Sequence, residues 1–464
     1  MREWPQNRGF VGLAGGRLLP KGMLRVFFRG WCWRQNKPGR AGQGQRRATG
    51  FGRHGMGAGL AVILAVLAGN PGFAGEFIVI SDLHDTGASQ DPPPLFQPGR
   101  DADVNLIESA LWNARTNCAG QPRFVLCLGD ILAHNKQRPP NFSATNVSGQ
   151  VAGMFNSVFP GVPVFTVPGN NDTDTADGSP GDSDYLPQPP AFLASFARSW
   201  SALIRDPQDK TNFLDTFAAH GWYSVNLPGL AKVRLVGLDT AYFENTNLLP
   251  HGVSDIAGIE SGQQCLASNQ VVWLGQQLSQ AQSEGVTLWL AFHIPPGRDP
   301  YPNAVPFWDS PWNTAVLRLI AAHRETIGAI FCGHTHADEF RVIYAGRQPV
   351  AFVHIAPSIS PIHGNYPAYQ IFEIDPQTDR LLDYRTYRLT SQTGGWSREY
   401  SFTNQYSAPD YGLASLIRLE ESLHTNEADW QVFSNCYTAG ARGGGGAVAN
   451  RRVYLRDLRV PVDP

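Results

Sequence analysis

Five times along the chain, a short and almost continuously apolar run ends in a cluster of Asp, His or Asn. The runs are 77–80, 124–128, 164–167, 288–292 and 327–331. The clusters behind them are Ser81-Asp82-Leu83-His84, Gly129-Asp130, Gly169-Asn170-Asn171-Asp172, His293 and Gly333-His334-Thr335-His336. Apolar runs without polar alternation describe strands covered on both faces. Further runs at 233–238, 350–355 and 369–374, with helix-like stretches at 104–116, 190–204, 268–284 and 314–325 between them, predict an α/β fold. In such a fold the side chains just past the carboxyl ends of strands converge on one crevice, so clusters far apart in sequence can meet there.

Charge separates the chain into two parts. Residues 1–55 hold 12 of the 37 Lys and Arg and one of the 39 Asp and Glu, which leaves 25 basic against 38 acidic groups in the rest. An acidic body offers no electrostatic footing for nucleic acid, and none is expected as a partner. The apolar run 56–69 follows the Arg-rich stretch and leads into small residues at 70–75, the pattern of a secretory signal. Its core of about a dozen residues is shorter than the ~20 that span a bilayer. Secretion or periplasmic export is therefore expected, with an uncleaved membrane anchor as the alternative. The six cysteines form no CxxC pair and no compact disulfide framework. The chain thus reads as a basic extension and signal peptide at 1–75, a catalytic domain at 76–375, and a Tyr-rich accessory segment at 376–464.

Imidazole, carboxylate and amide groups without thiolate suit Zn, Mn or Fe(II). A carboxylate can bridge two cations, and two cations roughly 3.5–4 Å apart clamp the attacking and leaving oxygens of a phosphoryl displacement. A water whose pKa is lowered by a metal then attacks phosphorus in line as hydroxide. Singly, Asp-x-His or Gly-Asp is ordinary turn chemistry. Five clusters in one order, each behind an apolar run, point instead to a metal site and to a metal-dependent phosphoric ester hydrolase.

The order Asp-x-His, Gly-Asp, Gly-Asn-x-Asp, His and Gly-His-x-His resembles the calcineurin-like metallophosphoesterases. Gly129-Asp-Ile-Leu-Ala-His134, His293-Ile-Pro-Pro-Gly297 and Phe331-Cys-Gly-His-Thr-His-Ala-Asp-Glu-Phe340 resemble their acid sphingomyelinase-like branch. The resemblance covers residues 77–374. It implies a four-layer α-β-β-α sandwich and two divalent ions, zinc in the family, with manganese or iron as alternatives. One ion would be held by Asp82, His84, Asp130 and His336, and the other by Asp130, Asn170, His293 and His334, with Asp130 bridging. The implied reaction is hydrolysis of a small-molecule or lipid phosphodiester by a metal-bound hydroxide, with transient membrane contact where the substrate is a lipid. His134, four residues after Asp130, matches the histidine that this branch places against the leaving-group oxygen, and it is the expected general acid.

The chain departs from the family at Asn171, where most relatives carry His. An amide can donate a hydrogen bond but cannot transfer a proton, which places more of the work on His134 and leaves Asn171 as a substrate-binding group. His363 and Tyr366 follow the Ser358-Ile-Ser-Pro361 turn and are expected to line the pocket. The Gly-Asn-Asn-Asp form also resembles endopolyphosphatases, so polyphosphate or nucleotide hydrolysis stays open, as does an inactive exported binding protein. The polyphosphate reading predicts basic groups at the pocket, with Lys136 and Arg298 as candidates.

Overall fold

Along strand β6 (Thr287–Ala291), Trp289 and Ala291 join one apolar cluster while Leu288 and Leu290 join another. Successive strand side chains point to opposite faces, so a strand with no polar face is covered on both sides. The same division recurs in β7 (Ile327–Cys332), where Ala329 and Phe331 lie in the first cluster and Ile330 and Cys332 in the second. The computed structural model describes residues 75–89, 94–174, 188–244, 256–299, 305–441 and 451–463, all within the unit Ala68–Pro464. The apolar run at 56–69, read as an export signal, lies outside the described residues. Among the described residues no helix is long and apolar enough to cross a membrane.

Two sheets carry the fold. The first has six strands: β12 (Trp396–Ser401), β11 (Leu381–Leu389), β10 (Ala368–Ile374), β1 (Gly75–Ile80), β2 (Val125–Cys127) and β3 (Val164–Thr166), in that spatial order. The second has seven: β13 (Arg459–Pro461), β8 (Glu339–Ala345), β9 (Gln348–Ile355), β7, β6, β5 (Val233–Gly237) and β4 (Tyr223–Asn226). Strands β1, β2 and β3 run parallel in one sheet, and β5, β6 and β7 run parallel in the other. Their carboxyl ends carry the five polar clusters.

The sheets meet through aromatic side chains. The Phe77 ring lies 4.7 Å from Phe124 and 5.1 Å from Phe372 in its own sheet, and 5.4 Å from Trp289 and 5.8 Å from Phe331 in the other. Helix α1 (Val104–Asn117) buries Leu106, Ile107, Ala110, Leu111 and Ala114 in the cluster containing Phe77. Helices α2 (Ala144–Val158), α3 (Pro190–Ser201) and α4 (Pro207–His220) add Phe155, Trp200 and Phe217 to it. On the other flank, α5 (Ile256–Glu284) and α6 (Ser310–Ala322) pack Leu274, Leu278, Val316, Leu317 and Ile320 against Leu288 and Leu290. The layers are helix, sheet, sheet and helix, the α/β sandwich expected from sequence.

All eight apolar runs form strands, and the four helix-like stretches form α1, α3, α5 and α6. Helix α5 begins at Ile256 rather than at 268; Gly258 and Gly262 weaken the helical signal of its first turns. Residues 376–464, read as an accessory segment, supply β11 and β12 to one sheet and β13 to the other. They also form α7 (Phe402–Gln405), α8 (Leu413–Thr425), α9 (Glu427–Tyr437) and α10 (Arg451–Asp457).

The inter-sheet aromatic contact gives a stability test. Phe77→Ala removes a fully buried ring from four aromatic neighbours, with an expected loss of about 3–5 kcal/mol. Urea unfolding measures it; a loss below about 1 kcal/mol would show that the sheets do not lean on this ring.

Candidate metal centre

Three of the five polar clusters, those after β1, β2 and β7, leave their strands on turns that the backbone must strain to make. Asp82 (φ 50°), His84 (48°), Asp130 (50°), His334 (78°) and His336 (61°) all have left-handed backbone, and they make up five of the eight such non-glycine residues among those described. This conformation persists only where the surroundings fix it, and such strain collects at functional sites. Close backbone approach is secured by glycine: a Cβ at Gly333 would overlap the Ser81 hydroxyl, and one at Gly169 would overlap the Asp130 amide. The backbone amides of Asp82 and His84 donate to Gly129 O (3.1 Å) and Asp130 O (2.9 Å), tying the first loop to the second.

The seven expected ligands come together. Around one point lie Asp82 Oδ1, His84 Nε2, His336 Nε2 and Asp130 Oδ2. The two imidazole nitrogens are 3.0 Å apart, Asp82 Oδ1 is 3.3 Å from His336 Nε2, and Asp130 Oδ2 is 3.5 Å from His84 Nε2. Around a second point lie Asp130 Oδ2, His293 Nε2, Asn170 Oδ1 and His334 Nδ1. His293 Nε2 is 3.1 Å from Asp130 Oδ2, and Asn170 Oδ1 is 2.9 Å from His334 Nδ1. Asp130 belongs to both sets. The donor groups include His84 with His134 and His336, Asp130 with His293 and His334, and Asp82 with His84 and Asp130, each within 4.8 Å.

Hydrogen bonding fixes which nitrogens face inward. His84 Nδ1 meets Leu132 O at 3.2 Å and His293 Nδ1 meets Leu128 O at 2.7 Å. A carbonyl can only accept, so both Nδ1 atoms carry protons and both Nε2 atoms present lone pairs. Lone pairs aimed at each other and at carboxylate oxygens need a proton or a cation between them. Burial disfavours a charged ring at His84, but its bond to Asp82 and the charges of Asp101, Asp130 and Asp82 outweigh this and raise its pKa to about 9. At His293 burial acts the same way and is overcome by Asp130 and Asp82, again giving about 9. Asp130 is held well below the carboxylate range because His293 and His84 outweigh its burial. His334 is pushed down to about 3, by burial first and by the His293 charge second. His84 and His293 thus draw protons where a cation would sit, while burial keeps His334 and His336 neutral with lone pairs free; with two converging donor sets sharing Asp130, the residues fit a dinuclear centre.

The other expected residues are placed as follows. His134 lies over His84, ring centroids 4.1 Å apart, and lines the cleft above the ligands. The Asn171 amide nitrogen donates to Asp130 Oδ2 (2.8 Å) and its backbone nitrogen to Asp130 Oδ1 (2.7 Å), so it lines the cleft while orienting the shared carboxylate. His363 also lines the cleft, its ring 4.6 Å from that of His336, and burial pushes its pKa to about 4. Tyr366 is not among the lining residues: it packs against the apolar core, its ring edge-on to Phe96. Lys136 lines the cleft and Arg298 lines a separate cavity beside β8.

Two residues were missed by sequence reasoning. Asp101 accepts from His134 Nδ1 (3.0 Å) and from the His134 backbone amide (2.8 Å), from a loop 33 residues upstream. Burial raises its pKa, but the bonds and charges of His134 and His84 lower it further, and it stays below the usual range. Asp172 accepts from Ile131 N (2.8 Å), Leu132 N (3.0 Å) and Gly169 N (2.9 Å), pinning the Asp130 loop to the Asn170 loop. Its place in Gly169-Asn170-Asn171-Asp172 was the available signal; Asp101 had none outside the fold.

The calcineurin-like phosphoesterase profile matches residues 75–338. The chain belongs to the calcineurin-like phosphoesterases. This phosphoesterase is 26% identical over 378 residues to an acid sphingomyelinase-like phosphodiesterase 3b of Mus musculus, covering 74% of this chain and 78% of that one. It is 25% identical over 401 residues to the cyclic GMP-AMP phosphodiesterase SMPDL3A of Rattus norvegicus, covering 79% and 84%. To a sphingomyelin phosphodiesterase of Bos taurus it is 26% identical over 368 residues, covering 74% of this chain and 54% of that one.

Metal titration tests the shared carboxylate. Phosphoesterase stripped with a chelator and reloaded with Mn²⁺ is expected to gain about 2.7 kcal/mol of stability for each ion bound at a hundredfold excess over its Kd. Asp130→Asn is expected to lose both ions by elemental analysis and Asn170→Ala only one; an Asp130→Asn protein that keeps two ions would remove Asp130 from the centre.

Proposed function

We propose that this phosphoesterase is an exported hydrolase of phosphodiesters that works with two divalent cations. One observation carries the reading: two sets of buried donor atoms share Asp130 Oδ2, and His134 lines the same cleft. Asp82, His84, Asp130 and His336 would hold one cation, and Asp130, Asn170, His293 and His334 the other. When bound, the pair supplies charge that neutralises phosphoryl oxygens and lowers the pKa of a water.

The chain's own residues do the rest. Asp101 holds the proton on His134 Nδ1 and leaves Nε2 to face the cleft. Hydrolysis adds the hydroxyl of one water to phosphorus, gives that water's other proton to solvent, from which His134 is later reprotonated, and breaks the P–O bond to the leaving group. Protonated His134 Nε2 delivers its proton to the departing oxygen. The Asn171 amide orients Asp130 and supplies a donor at the cleft without taking part in proton transfer.

The cleft, of about 370 Å³, also favours a diester over polyphosphate. Among its described lining residues Lys136 is the one Lys or Arg, while Glu244 and Asp299 add carboxylates to the wall. A polyanionic chain would be repelled there. Relatives named for sphingomyelin and for cyclic GMP-AMP support a small or lipid-linked diester as the substrate. Support for export comes from the apolar run at 56–69 behind a basic stretch; Edman sequencing of protein from the periplasm or medium should begin near residue 75, and full-length protein retained in the cytoplasm would reject it.

A substrate panel tests the reaction. Purified protein with Mn²⁺ or Zn²⁺ is expected to hydrolyse bis-p-nitrophenyl phosphate and at least one of sphingomyelin or a cyclic dinucleotide, and to leave polyphosphate intact. His134→Gln should retain its metal and lose roughly 10²–10⁴-fold in kcat on alkyl diesters, with a smaller loss on p-nitrophenyl esters, whose leaving group needs no proton. Equal losses on both would deny His134 the acid role.

A further inference from the structure

Two carboxylates follow the Gly333–His336 motif directly, and the proposed centre uses neither. Asp338 and Glu339 are each only 3% exposed. Buried carboxylates must be matched by donors, and here the donors come largely from one stretch of chain. Asp338 Oδ2 accepts from Thr386 (2.8 Å) and Tyr400 (2.8 Å), and Oδ1 accepts from Tyr384 (3.3 Å). The Tyr384 and Tyr400 hydroxyls are themselves 2.7 Å apart, and the Asp338 amide donates to Tyr437 O at 3.0 Å. These partners lie on β11, β12 and α9.

Glu339 is held from the same stretch. It accepts from Tyr454 of α10 at 3.0 Å and faces buried Arg341 at 3.7 Å. Arg341 donates to Pro296 O (2.8 Å), three residues past His293, and its guanidinium lies 5.2 Å from the Phe307 ring. Phe307 meets His334 edge-on at 5.0 Å. Two arms therefore run from residues 376–464 to the loops that carry His334, His336 and His293.

We infer that residues 376–464 clamp the metal-binding loops, with Asp338 as the positioning residue that fixes the exit of the His334–His336 turn. Both histidines stand in left-handed backbone, and such a turn keeps its ligand geometry only if the chain leaving it is anchored. The inference rests on the metal reading above.

The test uses the full chain, stripped of metal and titrated calorimetrically with Mn²⁺, together with the visible spectrum of the Co²⁺-loaded protein. Asp338→Asn and the double variant Thr386→Val with Tyr400→Phe are expected to keep their far-ultraviolet circular dichroism. They should bind Mn²⁺ roughly 10–100-fold more weakly than the parent and show shifted Co²⁺ bands. Tyr344→Phe, which removes a hydroxyl bound to Glu420 at 2.6 Å on α8, should leave both readouts at parent values. If Asp338→Asn does not fold, the hydroxyl variant decides. Parent-like Mn²⁺ affinity and Co²⁺ bands in that variant, with only a lower Tm, would reduce the network to core stability and overturn the clamp alone; so would an equal loss of affinity in Tyr344→Phe. A parent that binds none of Mn²⁺, Co²⁺ and Zn²⁺ would overturn the centre and the clamp together.

Discussion

Asp130 carries a negative charge at 2% exposure, and the cationic groups set against it are imidazoles from both sheets. A buried carboxylate is tolerable only when its charge is compensated and its lone pairs are filled. His84, after β1, and His293, after β6, reach the same oxygen at 3.5 and 3.1 Å. That convergence is available only if the carboxyl ends of the two sheets lie side by side. The packing of Phe77 against Trp289 and Phe331 sets the sheet separation beneath the loops of the site. Core packing and donor geometry are thus one constraint seen at two depths.

The turns that carry the donors are unfavourable by themselves. Left-handed φ at Asp82, His84, Asp130, His334 and His336 costs of order 1–3 kcal/mol at each strained residue. Carbonyls of Leu128 and Leu132, the Asp172 carboxylate and the glycines at 169 and 333 hold those turns. Burial and the nearby Asp130 charge raise the Asp172 pKa to about 7, against the three amides that donate to it. This carboxylate serves loop geometry at some expense in stability, as expected where a fold preserves a site rather than its own optimum.

The legible part of this fold was the part whose chemistry is local. Unbroken apolar runs announced the central strands, and polar clusters behind them announced the donors. Strand β8 was hidden because Glu339 and Arg341 interrupt its apolar pattern, although both are buried and face each other. Strand β11 was hidden because its Asp, Arg and Thr residues read as a polar tail, while the fold uses Thr386 and Tyr384 as interior donors. Asp101 was invisible for a different reason: its role exists only through a contact with His134 that no spacing encodes. Tyr366 was placed at the pocket by its position in a loop after a strand, but the loop turns its ring onto Phe96.

The exchange of imidazole for amide at position 171 shows how these pieces interact. Asn171 still binds Asp130 through side chain and backbone, so the shared carboxylate keeps its orientation without a titrating partner there. His363 faces the same cleft, but burial holds its pKa near 4, which leaves it neutral at neutral pH. Under the proposed chemistry, proton delivery to a leaving oxygen then falls to His134, whose Nδ1 is fixed by Asp101. Among the described residues of the cleft, His134 is then the histidine placed outside the two ligand sets with its second ring nitrogen held by a carboxylate. That contact ties the rate to the Asp101 carboxylate, a residue outside every motif by which the family is recognised.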